Sequence, residues 1–151
     1  MYRIVNPVAG GVRMDAAGSG VYGAPRNGRK HAGLDLICAP GEIVKSPIRG
    51  VITRIAYPYP DTSLYQGVEI EGDVMTLKLF YVKPYYAKIG QMVTAAEEIG
   101  VAQDVRVRYP DEKDMLPHVH LEIVKVNPAL FLDLRFASKG SEHDHYPIGA
   151  G

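Results

Sequence analysis

Two nearby segments, GVEIEG (67–72) and MTLKLFYVK (75–83), set apolar residues against polar ones at alternate positions. Side chains on a strand point alternately to opposite faces, so a period of two specifies half-buried antiparallel strands. EIVKSPIRGVITRIAY (42–57) adds two apolar runs split by the turn signal SPIRG, and KIGQMVTAAEEIGVAQ (88–103) two short glycine-marked segments. HVHLEIVKV (118–126) reads as a further strand, and NPALFLDLRF (127–136) as a short helix or turn entered through Asn-Pro. Helix is scarce, and 16 glycines with 11 prolines fit a chain of short strands and many turns. The class is mainly β.

At 151 residues, 46% hydrophobic and 23% charged, the chain is expected to form a single domain with its own core. Residues 1–21 read as an irregular, extended lead-in and 137–151 as a flexible polar tail. Lys+Arg and Asp+Glu are each 17, for a net charge of +0, which argues against nucleic acid or a membrane surface as partner. Cys38 is the one cysteine, so no internal disulfide can form. The N-terminus shows no signal peptide, and no run reaches the ~18 apolar residues of a membrane span.

The chemistry concentrates in LPHVHLEI (116–123) and KHAGLDL (30–36). On a strand His118, His120 and Glu122 share one face, while Val119, Leu121 and Ile123 look inward from the other. Two imidazoles on a free face suit a metal, a proton relay, or no chemistry. His31 precedes Asp35 by four positions, and Gly33 between them lets the chain bend so that both converge. With one imidazole from the HVH strand they make a His₂Asp set with an open fourth position, the donor pattern of catalytic zinc sites. Glu122 is placed to hold a ligand imidazole through its second nitrogen, or simply to face solvent. His143 and His145 repeat the HxH spacing in the polar tail, where a solvated pair is the default, and Cys38 is expected to serve packing.

YGAPRNGRKHAGLDLICAPGEIVKSPIRGVITRI (22–55), followed much later by PHVHLEI (117–123), closely resembles the lysostaphin/LytM-like zinc endopeptidases. The resemblance implies an antiparallel sheet flooring a groove with loop walls, in a domain of residues 22–136. It also implies zinc held by His31, Asp35 and His120, with His118 as the catalytic imidazole. The substrate it implies is a peptide of bacterial peptidoglycan, which lies outside the cytoplasm. A chain without a leader would then need delivery by a phage or a secretion apparatus.

One strand departs from this pattern. Active members usually carry a histidine in a segment like LYAH, where LFYVKP here puts Val82. FYVKP resembles the leukocyte-derived chemotaxin branch, which keeps a zinc site and is regarded as lacking peptidase activity. That branch has disulfides that Cys38 alone cannot form, so the chain looks more like a bacterial or phage member with the same altered strand. Tyr81, Lys83, His143 and His145 are the groups in reach of substituting for the missing imidazole. The expected activity is hydrolysis by a zinc-activated water with His118 as general base. The alternative is a zinc-bearing binding module of the same fold. A biotinyl- or lipoyl-carrier reading of 42–57 and 88–103 lacks the tip lysine those carriers modify.

Overall fold

A computed structural model describes residues 4–132. The tail with His143 and His145, and the end of the 127–136 segment, lie outside the described residues. Thirteen strands follow in order: β1 (Met14–Asp15), β2 (Gly18–Ser19), β3 (Pro25–Arg26), β4 (Arg29–Lys30), β5 (Leu34–Ile37), β6 (Ile43–Lys45), β7 (Gly50–Ala56), β8 (Gly67–Glu71), β9 (Met75–Phe80), β10 (Val82–Pro84), β11 (Met92–Val93), β12 (Glu98–Ala102) and β13 (His118–Val126). Among the described residues the only helical elements are three 3₁₀ turns, at Tyr86–Lys88, Val105–Arg108 and Pro128–Phe131. The mainly β, antiparallel class read from the alternation is the one observed.

Six strands form the main sheet in the order β11-β7-β8-β9-β13-β5, and β10-β12-β6 form a smaller one. β9 shows why: Met75, Leu77 and Leu79 are buried while Thr76, Lys78 and Phe80 between them are not. Inward residues of both sheets meet in one cluster, with Ile52, Val68, Ile70, Leu77, Leu79 and Val119 from the main sheet and Val44, Val82, Ile99 and Ala102 from the smaller. Full burial of each such Val, Leu or Ile side chain favours folding by roughly 1.5–3 kcal/mol. β13 follows the expected alternation at Val119 and Leu121, but Ile123 is exposed. There the pairing with β9 slips between Ile123 and Lys125, as the strand runs past the covered part of the sheet.

The lead-in is tied to the domain along its length. Val5 N–H donates to the Pro47 carbonyl at 2.8 Å and Lys45 N–H to that of Pro7 at 2.9 Å, and Val8 is buried. Val12 bridges to Leu36, and Ile37 N–H donates to Gly11 O at 2.9 Å, so residues 11–13 border β5 as an added edge. The β1–β2 hairpin then brings Arg13 and Asp15 beneath the site.

Candidate metal centre

Register alone brings the site together. β13 lies between β9 and β5, with His120 directly opposite Asp35 on one side and Phe80 on the other. Directly paired residues share a face, so carboxylate, imidazole and aromatic ring stand side by side on the face away from the core. The Phe80 ring stacks on His120 with centroids 5.8 Å apart. His31 arrives from the β4–β5 connection through Gly33. A Cβ on Gly33 would sit 2.2 Å from the Leu121 carbonyl oxygen and 2.9 Å from His120 Nε2. Gly33→Ala is therefore expected to displace His120 and cost about 1–3 kcal/mol, the usual range for overpacking, read as a lowered Tm.

Three atoms converge on one point. His31 Nε2 is 3.1 Å from Asp35 Oδ1, His120 Nδ1 is 3.0 Å from the same oxygen, and the two nitrogens are 3.1 Å apart. The far sides of both rings fix their tautomers. His31 Nδ1 donates to the Val21 carbonyl at 2.9 Å, and a carbonyl can only accept. His120 Nε2 donates to the Glu122 carboxylate at 3.1 Å. With both rings neutral, two nitrogen lone pairs and a carboxylate oxygen face one another with no proton between them. Such a triangle is repulsive unless a cation occupies it. The edge expected for tetrahedral ligands around zinc at ~2.0–2.1 Å is about 3.3 Å, so a small outward movement would admit the ion. A proton on His120 would ease the same repulsion. Burial works against a charged His120, but its hydrogen bonds to Asp35 and Glu122 outweigh it and raise its pKa. His31, Asp35 and His120 thus form a cluster that can hold a metal ion.

His118 stands apart from the triangle. Its Nδ1 donates to the Leu116 carbonyl at 2.7 Å, leaving Nε2 as a free lone pair 3.8 Å from Asp35 Oδ2. Burial pushes its pKa down despite the nearby Asp35, so the ring is neutral around pH 7.

Val82 does not face the groove. Tyr81 adopts a left-handed backbone (φ 66°), which shifts the alternation after Phe80 by one place. Val82 is turned fully into the core, and the Tyr81 ring stands edge-on to His118 at 5.6 Å. Burial raises the Tyr81 pKa to about 12, so its hydroxyl stays protonated. Tyr59 OH lies 2.9 Å from Tyr81 OH and 2.7 Å from Tyr109 OH, making a wall of three linked phenols. Lys83 is solvent-exposed, and Cys38 is buried with its thiol pushed up to about 12 by burial. Sequence reasoning missed Arg13, Asp15, Tyr59 and Tyr109. The first two hold the site from beneath, Arg13 through Asp35 and Asp15 through Leu116 N–H. The walls and floor enclose a groove of about 750 Å³ that includes His31, Asp35, His118, His120 and the three tyrosines.

No known protein-family profile matches the chain. It is 32% identical over 109 residues to leukocyte cell-derived chemotaxin-2 of Bos taurus, covering 72% of this chain and 69% of that protein. The chain belongs to the chemotaxin-2 family. The Mus musculus protein is 31% identical over 109 residues, with the same coverage of both chains. Myeloid protein 1 of Gallus gallus is 28% identical over 112 residues, covering 72% of this chain and 33% of that one. In fold this chemotaxin-2 family member is similar to Csd3 of Helicobacter pylori (TM-score 0.56, 18% identity), covering 82% of this chain and 32% of that one. It is similar also to lysostaphin (TM-score 0.50, 22% identity), covering 76% of this chain and 45% of that one. The lysostaphin-like fold implied by the two motifs is present, together with the sequence kinship implied by FYVKP.

Proposed function

We propose that the chain is a zinc-dependent endopeptidase that hydrolyses peptide bonds in bacterial peptidoglycan. The observation that carries this reading is the triangle of His31 Nε2, Asp35 Oδ1 and His120 Nδ1 in the groove floor, with Nε2 of His118 beside it. Zinc held by those three residues would supply Lewis-acid chemistry, acidifying a water and polarising a carbonyl. Everything else falls to the chain's own groups. His118 takes the attacking water's proton at Nε2 and later returns it to the leaving amine, while the Leu116 carbonyl keeps its other nitrogen protonated. Glu122 orients His120 from behind. Tyr81 donates its hydroxyl hydrogen toward the developing oxyanion, in place of the histidine of active members. Such a substrate puts the action outside the cytoplasm.

The second reading is a zinc-bearing binding module, favoured by the absence of any histidine from the LFYVKP segment and by kinship to chemotaxin-2. Release of soluble muropeptides from purified sacculi separates the two. Release is expected to need zinc and to fall about 10²–10⁴-fold in His118→Ala. Tyr81→Phe is expected to cost about 10²-fold. A chain that retains a full zinc equivalent and releases nothing is the binding module.

A further inference from the structure

We propose that Arg26 is a positioning residue for the metal centre: with Arg13 it occupies Oδ2 of Asp35, so that the carboxylate offers a cation only Oδ1 and leaves the fourth coordination position open. The proposal rests on metal binding by the triangle and does not need hydrolysis. A carboxylate can bind a metal through one oxygen or both, and a second oxygen would take the position that a water fills in catalytic zinc sites. The two oxygens of Asp35 keep different company. Oδ1 lies 3.1 Å from His31 Nε2 and 3.0 Å from His120 Nδ1. Oδ2 lies 3.4 Å from Arg13 Nε and 3.5 Å from Arg26 Nη2, and both guanidiniums are permanently charged.

The two arginines reach this oxygen from different segments. Arg13 also grips Asp15 at 2.8 and 2.9 Å, so its charge is divided. Arg26, on β3, pairs with no carboxylate but Asp35 among the described residues. Its other bonds go to neutral carbonyls, Nη2 to Ser19 at 2.7 Å and Nη1 to Pro25 at 2.9 Å, which aim the guanidinium without neutralising it. The Asp35 side chain is only 6% exposed, so solvent does little to weaken the attraction. The backbone fixes the rest. Asp35 N–H donates to Gly20 O at 2.9 Å, and a Cβ at Gly20 would lie 2.7 Å from Asp35 Cβ and 3.0 Å from that of Arg13. Only a glycine there lets Arg13 and Asp35 pack this closely against β2. Turning Oδ2 toward the triangle would break both guanidinium contacts, and Arg26 supplies the one that no other carboxylate shares.

The test loads the full chain with cobalt(II), whose visible absorption is strong when four-coordinate and weaker when five-coordinate. Wild type is expected to show the four-coordinate band. Arg26→Ala is expected to keep the metal but show the weaker, five-coordinate band, as Asp35 closes on the ion with both oxygens. Imidazole, a neutral probe for the open position, is expected to bind the variant about tenfold more weakly, because it must displace the second oxygen. Arg26→Gln, which keeps most of the stem and loses the charge, gives the same reading where Arg26→Ala does not fold. A lowered Tm with spectrum and imidazole affinity unchanged makes Arg26 a structural residue and overturns the proposal. A five-coordinate band already present in wild type, or a folded variant that loses the metal outright, overturns it too. A wild-type chain that retains neither cobalt nor zinc removes the metal centre, and the hydrolase reading with it. The expected Arg26 effect in a chain whose zinc form releases no muropeptides removes the hydrolase reading alone.

Discussion

Asp35→Ala is expected to abolish metal retention, leaving well under one equivalent after desalting where the wild-type chain keeps about one. The carboxylate is shared five ways, with His118 Nε2 3.8 Å from Oδ2. Oδ1 faces both triangle nitrogens, while Oδ2 lies 3.4 Å from Arg13 Nε and 3.5 Å from Arg26 Nη2. Removing a group that merely supports a ligand costs roughly 10–100-fold in metal affinity, so removing the ligand itself should cost more. Asp35 is also the one anion in direct contact with the triangle's two imidazoles. Burial opposes its ionisation, but the His120 hydrogen bond and the charges of His118, His31 and His120 outweigh that and lower its pKa. Without it two lone pairs face each other at 3.1 Å with no carboxylate oxygen to complete the triangle and two guanidiniums close by, and no divalent ion gains enough to enter. Asp35→Asn keeps the volume and removes the charge, so it should lose the metal while retaining more of the fold. Zinc content by atomic absorption, read beside the Tm of the metal-free protein, checks both. Undiminished zinc in either variant would rule out this ligand set.

The strands were legible because their signal is local. GVEIEG and MTLKLF carry the period of two in their own residues, and the structure buries Val68, Ile70, Leu77 and Leu79 accordingly. His31 and Asp35 were legible for a related reason: both lie in one short segment around a glycine. Pairing them with His120, 85 residues beyond Asp35, needed the register of β5 against β13, which no local pattern reveals. The phase shift at Tyr81 left no trace either, since a left-handed non-glycine residue has no compositional mark. Reading MTLKLFYVK as unbroken alternation therefore said nothing of Tyr81 facing the groove. The phenol wall joins residues 22 and 50 positions apart from Tyr59, and only the fold assembles it.

Arg13→Ala is expected to be the most damaging change outside the metal ligands, because one buried ion pair ties the ligand carboxylate to the seat of His118. Arg13 lies at the edge beside β5, where its N–H donates to the Asp35 carbonyl at 2.8 Å. Its Nη1 donates to both oxygens of Asp15 at 2.8 and 2.9 Å. Asp15 in turn accepts from Leu116 N–H at 2.8 Å, and the Leu116 carbonyl is the acceptor that fixes the His118 ring. Both side chains of the pair are about 95% buried, with exposures of 4% and 5%. Removing one member leaves an uncompensated buried charge, which costs about 3–5 kcal/mol. In a domain of this size that lowers the Tm by on the order of 10–20 °C. Arg13→Lys keeps the charge but, with one nitrogen in place of Nη1 and Nε, cannot reach Asp15 and Asp35 together, so it should fall between wild type and Arg13→Ala.

The pH dependence follows from Asp15. Burial alone would raise its pKa, but Leu116 N–H, the Arg13 guanidinium and Ala17 N–H together hold it below the usual 3.8. A carboxyl with a lowered folded pKa contributes its full stability above 3.8 and loses it as the pH falls through the lower folded value. Asp15→Asn should therefore destabilise the chain at neutral pH, yet flatten the decline in stability below about pH 4. The same variant should loosen His118 without touching a metal ligand, which nitrogen-15 NMR would read as a shift in its tautomer balance away from Nδ1–H. An unaltered His118 signal in a folded Asp15→Asn chain would sever the link between the N-terminal hairpin and the candidate base.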